Sequence, residues 1–228
     1  SGWVNGSRDI NRETFRDALI PIAGDVSILT PPDRFAESMD LVCHADGLEI
    51  AQRIVELSKV LFDVVIIDTA GRMGPAVGGL LRSADTVLLV TDDSELGLTA
   101  VDLLLTSAKV LMGGTDRLRF LINPSSEKPV DFKQISADLE AVHNLSELAW
   151  SLPVLPFDPK AATWPGSGST LYSSGNKGLK QVFEEVARKL LLVEQVGVQG
   201  DNSHLEDGED RLGWLHRFFR RRQDGATR

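Results

Sequence analysis

Glycine is never followed by lysine in these 228 residues. A phosphate cradle of the G-x-x-x-x-G-K-[ST] type, built from backbone amides and a lysine, is therefore excluded from this stretch. Cysteine occurs once, as Cys43, so no intramolecular disulfide can form and the composition suits a reducing compartment. His44 stands next to it, but two adjacent side chains rarely chelate a metal alone. Cations are scarce as well. Lys and Arg number 24 against 33 Asp and Glu, a net charge of -9. That argues against sequence-independent nucleic-acid binding, which needs clustered positive charge. No apolar run approaches the ~20 residues that cross a bilayer, and the polar opening stretch predicts no signal peptide. A hydrolase triad has no support. There is no G-x-S-x-G elbow, and His44, His143, His204 and His216 fall in helical, linker or tail contexts. A phospho-receiver needs a lysine at a later strand end, and Lys109 lies inside a helix pattern instead.

What is present is a series of short, β-branched apolar runs: residues 26–30, 64–68, 86–91, 118–123 and 153–156. Helical periodicity fills residues 49–61, 96–111 and 131–142, and residues 177–193 follow the last run. Such alternation predicts βαβ units and a mostly parallel sheet. The runs are continuously apolar, so both faces of the sheet are expected to be covered by helices. Pro31-Pro32-Asp33 and Gly113-Gly114-Thr115-Asp116 mark turns, and residues 164–177 read as a long surface loop.

Composition changes near residue 197. Residues 1–196 read as one α/β domain. Residues 197–210 are an acidic linker with almost no apolar side chains, a disordered composition. Residues 211–222, RLGWLHRFFRRR, place Leu212, Leu215 and Phe219 on one helical face, flanked by Trp214 and Phe218. Arg217, Arg220 and Arg221 lie opposite. Bulky apolar residues facing arginines describe a helix that lies in an anionic membrane surface. Docking in a partner's groove, or packing on the protein itself, are the other readings of the same pattern.

The most strongly β-patterned run, FDVVIIDTAGR, ends in Asp68. At the carboxyl end of a strand in an open α/β sheet, an aspartate faces the ligand crevice and can hold magnesium through water. Gly71 follows in a turn that could bring a backbone N–H to a γ-phosphate. Equally, Asp68 could be a turn-capping residue. Asn123 ends the fourth run, where its amide can pair with a purine edge or simply form an Asn-Pro turn. LPVLPFDP, with Pro156 and Asp158, enters another loop beside the same crevice.

The order FDVVIIDTAGR, SADTVLLVTDDSELGLTAVDLL, RLRFLINP, LPVLPFDPKAATWPGSGSTL and a final long helix resembles the MinD/ParA group of P-loop ATPases. The similarity is greatest to the CpaE/TadZ-type branch associated with pilus assembly, and RETFRDALIPIAGDVSILTPP resembles the helix and strand that come earlier in that branch. The resemblance runs over roughly residues 11–192. It implies a P-loop NTPase-like fold that lacks the P-loop strand, and an ATP-dependent protein that positions machinery at a membrane. It implies magnesium service for Asp68, adenine contact for Asn123, and a loop after Pro156, including Asp158, near the base. It also implies ATP and Mg2+ as cofactors, a homodimer or a complementing P-loop-bearing segment as partner, and a peripheral place on the cytoplasmic face of the membrane. In that family the P-loop strand is central, so its absence would leave unpaired backbone on both sides of a gap. A non-enzymatic pseudo-ATPase scaffold that keeps the fold for interaction is the competing expectation.

Overall fold

The computed structural model describes residues 3, 6, 8–23, 25–32, 36, 39, 45–69, 73–127, 132–162, 170–174 and 177–196. Cys43, His44, Gly71, most of the 164–177 loop, the acidic linker and the helix expected at 211–222 lie outside the described residues. Two compact units are present, residues 1–187 and 188–228. The fold is mixed α/β, with two two-stranded sheets, one antiparallel and one parallel.

The first helix, α1 (Arg12–Ala18), is set by a capping box. Asn11 Oδ1 accepts from the backbone N–H of Glu13 and Thr14, and Thr14 Oγ1 accepts from Asn11 N–H. The helix buries Phe15, whose ring stacks on Trp3 at 6.2 Å. Strands β1 (Ile20–Ala23) and β2 (Val26–Ile28) then pair antiparallel, with Ile20 opposite Ile28. Residues 26–30 were expected in the mostly parallel sheet, and this is a correction. Only two residues separate β1 from β2, a length that closes a hairpin but cannot make the crossover that parallel pairing requires. Pairing stops at Ile28, opposite Ile20, because the residue before Ile20 is the cap of α1.

The centre of the molecule is helix α4 (Glu95–Met112) packed on the parallel pair β3 (Val87–Thr91) and β4 (Leu118–Ile122). Val101, Leu105, Ala108 and Met112 recur every three or four residues and form the buried stripe of α4. They meet Leu118, Phe120 and Ile122, the alternate residues of β4, with Val87 and Leu89 of β3. A 3-10 turn at Glu147–Trp150 covers the far side, stacking Trp150 on Phe120 at 4.2 Å. Leu139 of α5 (Phe132–His143) joins the same cluster.

Both ends of α4 are fixed. Ser94 Oγ accepts from Gly97 N–H at the start. At the end Gly113 takes the left-handed conformation, φ 73°, so that Gly114 N–H can reach Lys109 O. Asp102 Oδ1 of α4 lies 2.6 Å from His143 Nε2 of α5, and Lys109 Nζ donates to His143 O. Arg117 Nη2 donates to Met112 O, while its Nη1 reaches the carbonyls of Arg82 and Ala84. That ties the end of α4 to the end of helix α3 (Pro75–Ser83). Helix α2 (Ala45–Leu61) packs on α3 at Gly79, where an added Cβ would meet the Leu48 side chain at 2.2 Å. Arg119 is buried on β4, donating to the carbonyls of Asp116 and Leu118. Burial lowers its pKa from the ordinary arginine value, and the Asp116 charge works in the opposite direction.

Two further features differ from the expected layered sheet. Residues 64–68 belong to no sheet among the described residues, and Ile66 is 90% exposed. A strand forms only where a neighbour takes its hydrogen bonds, and among the described residues none does. Leu88 and Val90 of β3 are also exposed, so helices do not cover both faces there. Short helices α6 (Pro159–Ala162) and α7 (Leu171–Ser174) precede the last helix, α8 (Lys177–Val196), which buries Leu179 and Val186.

Phe120 is 2% exposed between Trp150 and α4. Truncation leaves a ring-sized cavity. Phe120→Ala is therefore expected to lower unfolding free energy in urea by about 3–5 kcal/mol, and Phe120→Leu by clearly less.

Candidate functional site

The carboxyl ends of β3 and β4 point the same way, which in parallel sheets is where ligand crevices open. β3 runs out at Thr91 into Asp92-Asp93-Ser94, and Ser94 begins α4. β4 runs out into Asn123-Pro124-Ser125. The two exits are sewn together. Asn123 N–H donates to Thr91 O at 2.8 Å. Asp93 is buried, and its Oδ1 accepts from both the N–H and the Oγ of Ser125, at 2.8 and 2.7 Å. A buried carboxylate with two donors is a brace rather than a free reagent.

Asp92 has the opposite character. It is exposed, and its Oδ1 accepts from the N–H and Oγ of Ser94 at 3.0 and 2.5 Å. Gly97 is the residue that lets it sit there, because a Cβ at that position would fall 2.1 Å from Asp92 Oδ1. Two carboxylates at the first turn of α4 offset the positive end of the helix dipole. They also make this end of the crevice a poor cradle for phosphate.

Of the residues expected from the sequence, Asn123 and Pro156 each follow a residue of one backbone bond, Leu155 N–H donating to Ile122 O at 2.9 Å. Asn123 is exposed, and among the described residues its side-chain amide has no partner, which leaves a donor and an acceptor open. Asp158 is engaged, its Oδ1 accepting from Lys160 N–H at 2.9 Å at the start of α6. Asp68 is exposed at the end of the 64–68 segment, and among the described residues no hydrogen bond joins it to this group. Gly71 and the tail residues Leu212, Trp214, Leu215, Arg217, Phe218, Phe219, Arg220 and Arg221 lie outside the described residues.

Sequence reasoning missed Asp92, Asp93, Ser94 and Ser125. A signal was available. T-D-D-S directly after an apolar run and before an amphipathic stretch is a helix-start pattern, which fixes those carboxylates at the strand exit. Among the described residues no group of three or more His, Cys, Asp or Glu gathers as a metal site. A separate cavity of about 750 Å³ opens between Trp3, Asp9 and the Asp46, Glu49 and Arg53 side of α2. None of the expected site residues lines it.

Comparisons with models of protein families, with curated proteins and with solved structures find no match to this chain.

Gly97 and Asp92 should behave as a coupled pair. Ala at a helical glycine ordinarily gains about 0.5–1 kcal/mol. Here Gly97→Ala is expected instead to lose about 1 kcal/mol, since it displaces the Asp92 carboxylate from Ser94. In an Asp92→Ala background the same change should turn neutral or stabilising, which a double-mutant cycle in urea would read.

Proposed function

We propose that this chain is part of a MinD/ParA-like ATPase-family protein, of the CpaE/TadZ kind, that positions or assembles machinery at a membrane. The observation that supports it best is the shared exit of the parallel strands β3 and β4, where Asn123 is exposed and Leu155 N–H, one residue before Pro156, donates to Ile122 O. On this reading ATP is the ligand. The Asn123 amide meets the adenine edge, and the Pro156–Asp158 loop flanks the base. Asp68 serves Mg2+ through water, and Gly71 offers an amide to the γ-phosphate. The triphosphate needs an amide cradle and a lysine that residues 1–228 do not supply. A P-loop-bearing segment is the partner that would complete the site, and a homodimer is the other assembly this reading allows.

A second reading is a pseudo-ATPase scaffold. The carboxylates at the start of α4, which repel rather than hold phosphate, favour it. Titration calorimetry with Mg-ATP separates the two. The ATPase reading expects binding that Asn123→Ala weakens about tenfold, equivalent to about 1.4 kcal/mol. It further expects Asp68→Asn to remove the magnesium dependence. No heat at high protein concentration, with or without a P-loop-bearing partner, would leave the scaffold reading.

The C-terminal segment is proposed as a peripheral anchor on the cytoplasmic face of a membrane. Among the described residues no helix is long and apolar enough to cross one. Trp214, Leu215, Phe218 and Phe219 would enter the interface while Arg217, Arg220 and Arg221 meet anionic headgroups. The chain should co-sediment with phosphatidylglycerol vesicles, less so as salt rises, and Phe218→Glu should abolish the association. Equal sedimentation by residues 1–210 would overturn this assignment.

A further inference from the structure

The turn Asn123-Pro124-Ser125 that leaves β4 is tied to the β3 exit on both sides of its proline. Asn123 N–H donates to Thr91 O at 2.8 Å. Two residues on, Ser125 N–H and Oγ both donate to Asp93 Oδ1, at 2.8 and 2.7 Å. Pro124 between them is buried, and its ring holds φ at about −65°. The backbone that carries the Asn123 side chain therefore has little left to rotate. Asn123 itself is exposed, and among the described residues its amide has no partner.

Asp93 is a costly residue to place behind such a turn. It is 3% exposed, and burying a carboxylate is unfavourable unless hydrogen bonds replace its water. Packing alone is served better by an apolar side chain of similar volume. What the carboxylate adds is direction, because its bonds select one arrangement of Ser125 that apolar contact leaves free. Its neighbour gives those bonds a fixed reference. Ser94, the next residue, caps α4 through Gly97 N–H, and Gly113 closes the other end of that helix. Ser125 and the turn before it are thus registered against the first turn of α4.

We propose that Asp93 is the positioning residue of the base site. Through Ser125 it holds the Asn123-Pro124-Ser125 turn, and with it the Asn123 amide, in the arrangement that a purine edge meets. The proposal rests on the ATP reading given above, because it takes the base as the ligand of Asn123. It adds the source of the affinity. An amide whose backbone is already ordered loses no binding free energy to ordering it. Asp93 is buried and meets no base itself. Its effect reaches the ligand only through Asn123 and vanishes when that amide is removed. A carboxylate that only stabilises the fold lacks this dependence.

Adenosine is the probe, since a nucleoside needs no phosphate cradle. The 228-residue chain is titrated with it and followed by amide NMR. Asp93→Ala should weaken binding about tenfold, while Asp93→Asn, whose Oδ1 can accept the same two bonds, should stay within about threefold of the parent chain. In an Asn123→Ala background, Asp93→Ala should weaken binding no further. Asn123→Ala also identifies the side-chain amide signals of Asn123. Their relaxation, without adenosine, should show an ordered amide in the parent chain and a mobile one in Asp93→Ala. If Asp93→Ala does not fold, Ser125→Ala keeps the backbone bond, removes the Oγ bond, and should weaken adenosine binding about threefold. The positioning role alone is overturned if Asp93→Ala, or Ser125→Ala in its place, binds adenosine as the parent does. It is likewise overturned if the loss is equal with Asn123 replaced, or if the Asn123 amide is no more mobile in the variant. No binding of adenosine by the parent chain overturns the nucleotide reading and the positioning role together.

Discussion

The packing of α4 on β4 is what the other elements depend on. Val101, Leu105, Ala108 and Met112 close over Leu118, Phe120 and Ile122, and each side supplies the apolar surface that the other must remove from water. β3 has no comparable support of its own. It is held by its ladder to β4 and by Val87 and Leu89 entering the edge of the same cluster. The Leu155 bond to Ile122 hangs the next segment on the opposite side of β4. The crevice inherits its geometry from this arrangement, because Thr91, Asp92, Asp93 and Asn123 are the residues immediately past the two packed strands.

How much of this was legible in the sequence depended on whether the signal was local. The α4 pattern and its Gly113 stop could be read from spacing and turn chemistry, and the helix follows them. β3 and β4 were legible as short β-branched runs, and their parallel pairing follows from the intervening helix. Pairing between distant segments was not legible in the same way. The run at 26–30 carries the same β-branched signal, yet Gly24-Asp25 makes it the return strand of a local hairpin. The run at 64–68 has the strongest strand composition in the chain and forms no ladder, since composition prepares a strand and only a neighbour completes it. At the crevice, Asn123 could be proposed from its position after a strand. The burial of Asp93 could not, because it depends on Ser125 approaching from the β4 side.

The site therefore joins two kinds of carboxylate. Asp93 is consumed in bracing the β3 and β4 exits, whereas Asp92 stays at the surface, kept in place by a glycine one turn into α4. Asn123 is the polar side chain left open between them and the Pro156 loop. Such a rim suits a ligand that presents hydrogen-bonding edges more than one that presents bare negative charge. The exposed 64–68 segment, with Asp68 at its end, shares none of these bonds among the described residues.

The doubly capped α4 has a mechanical consequence. With Ser94 holding its first turn, Gly113 its last, and His143 and Arg117 gripping the distal half, the helix has no free end along which to slide or unwind. The β3 exit is therefore set on a clamped rod.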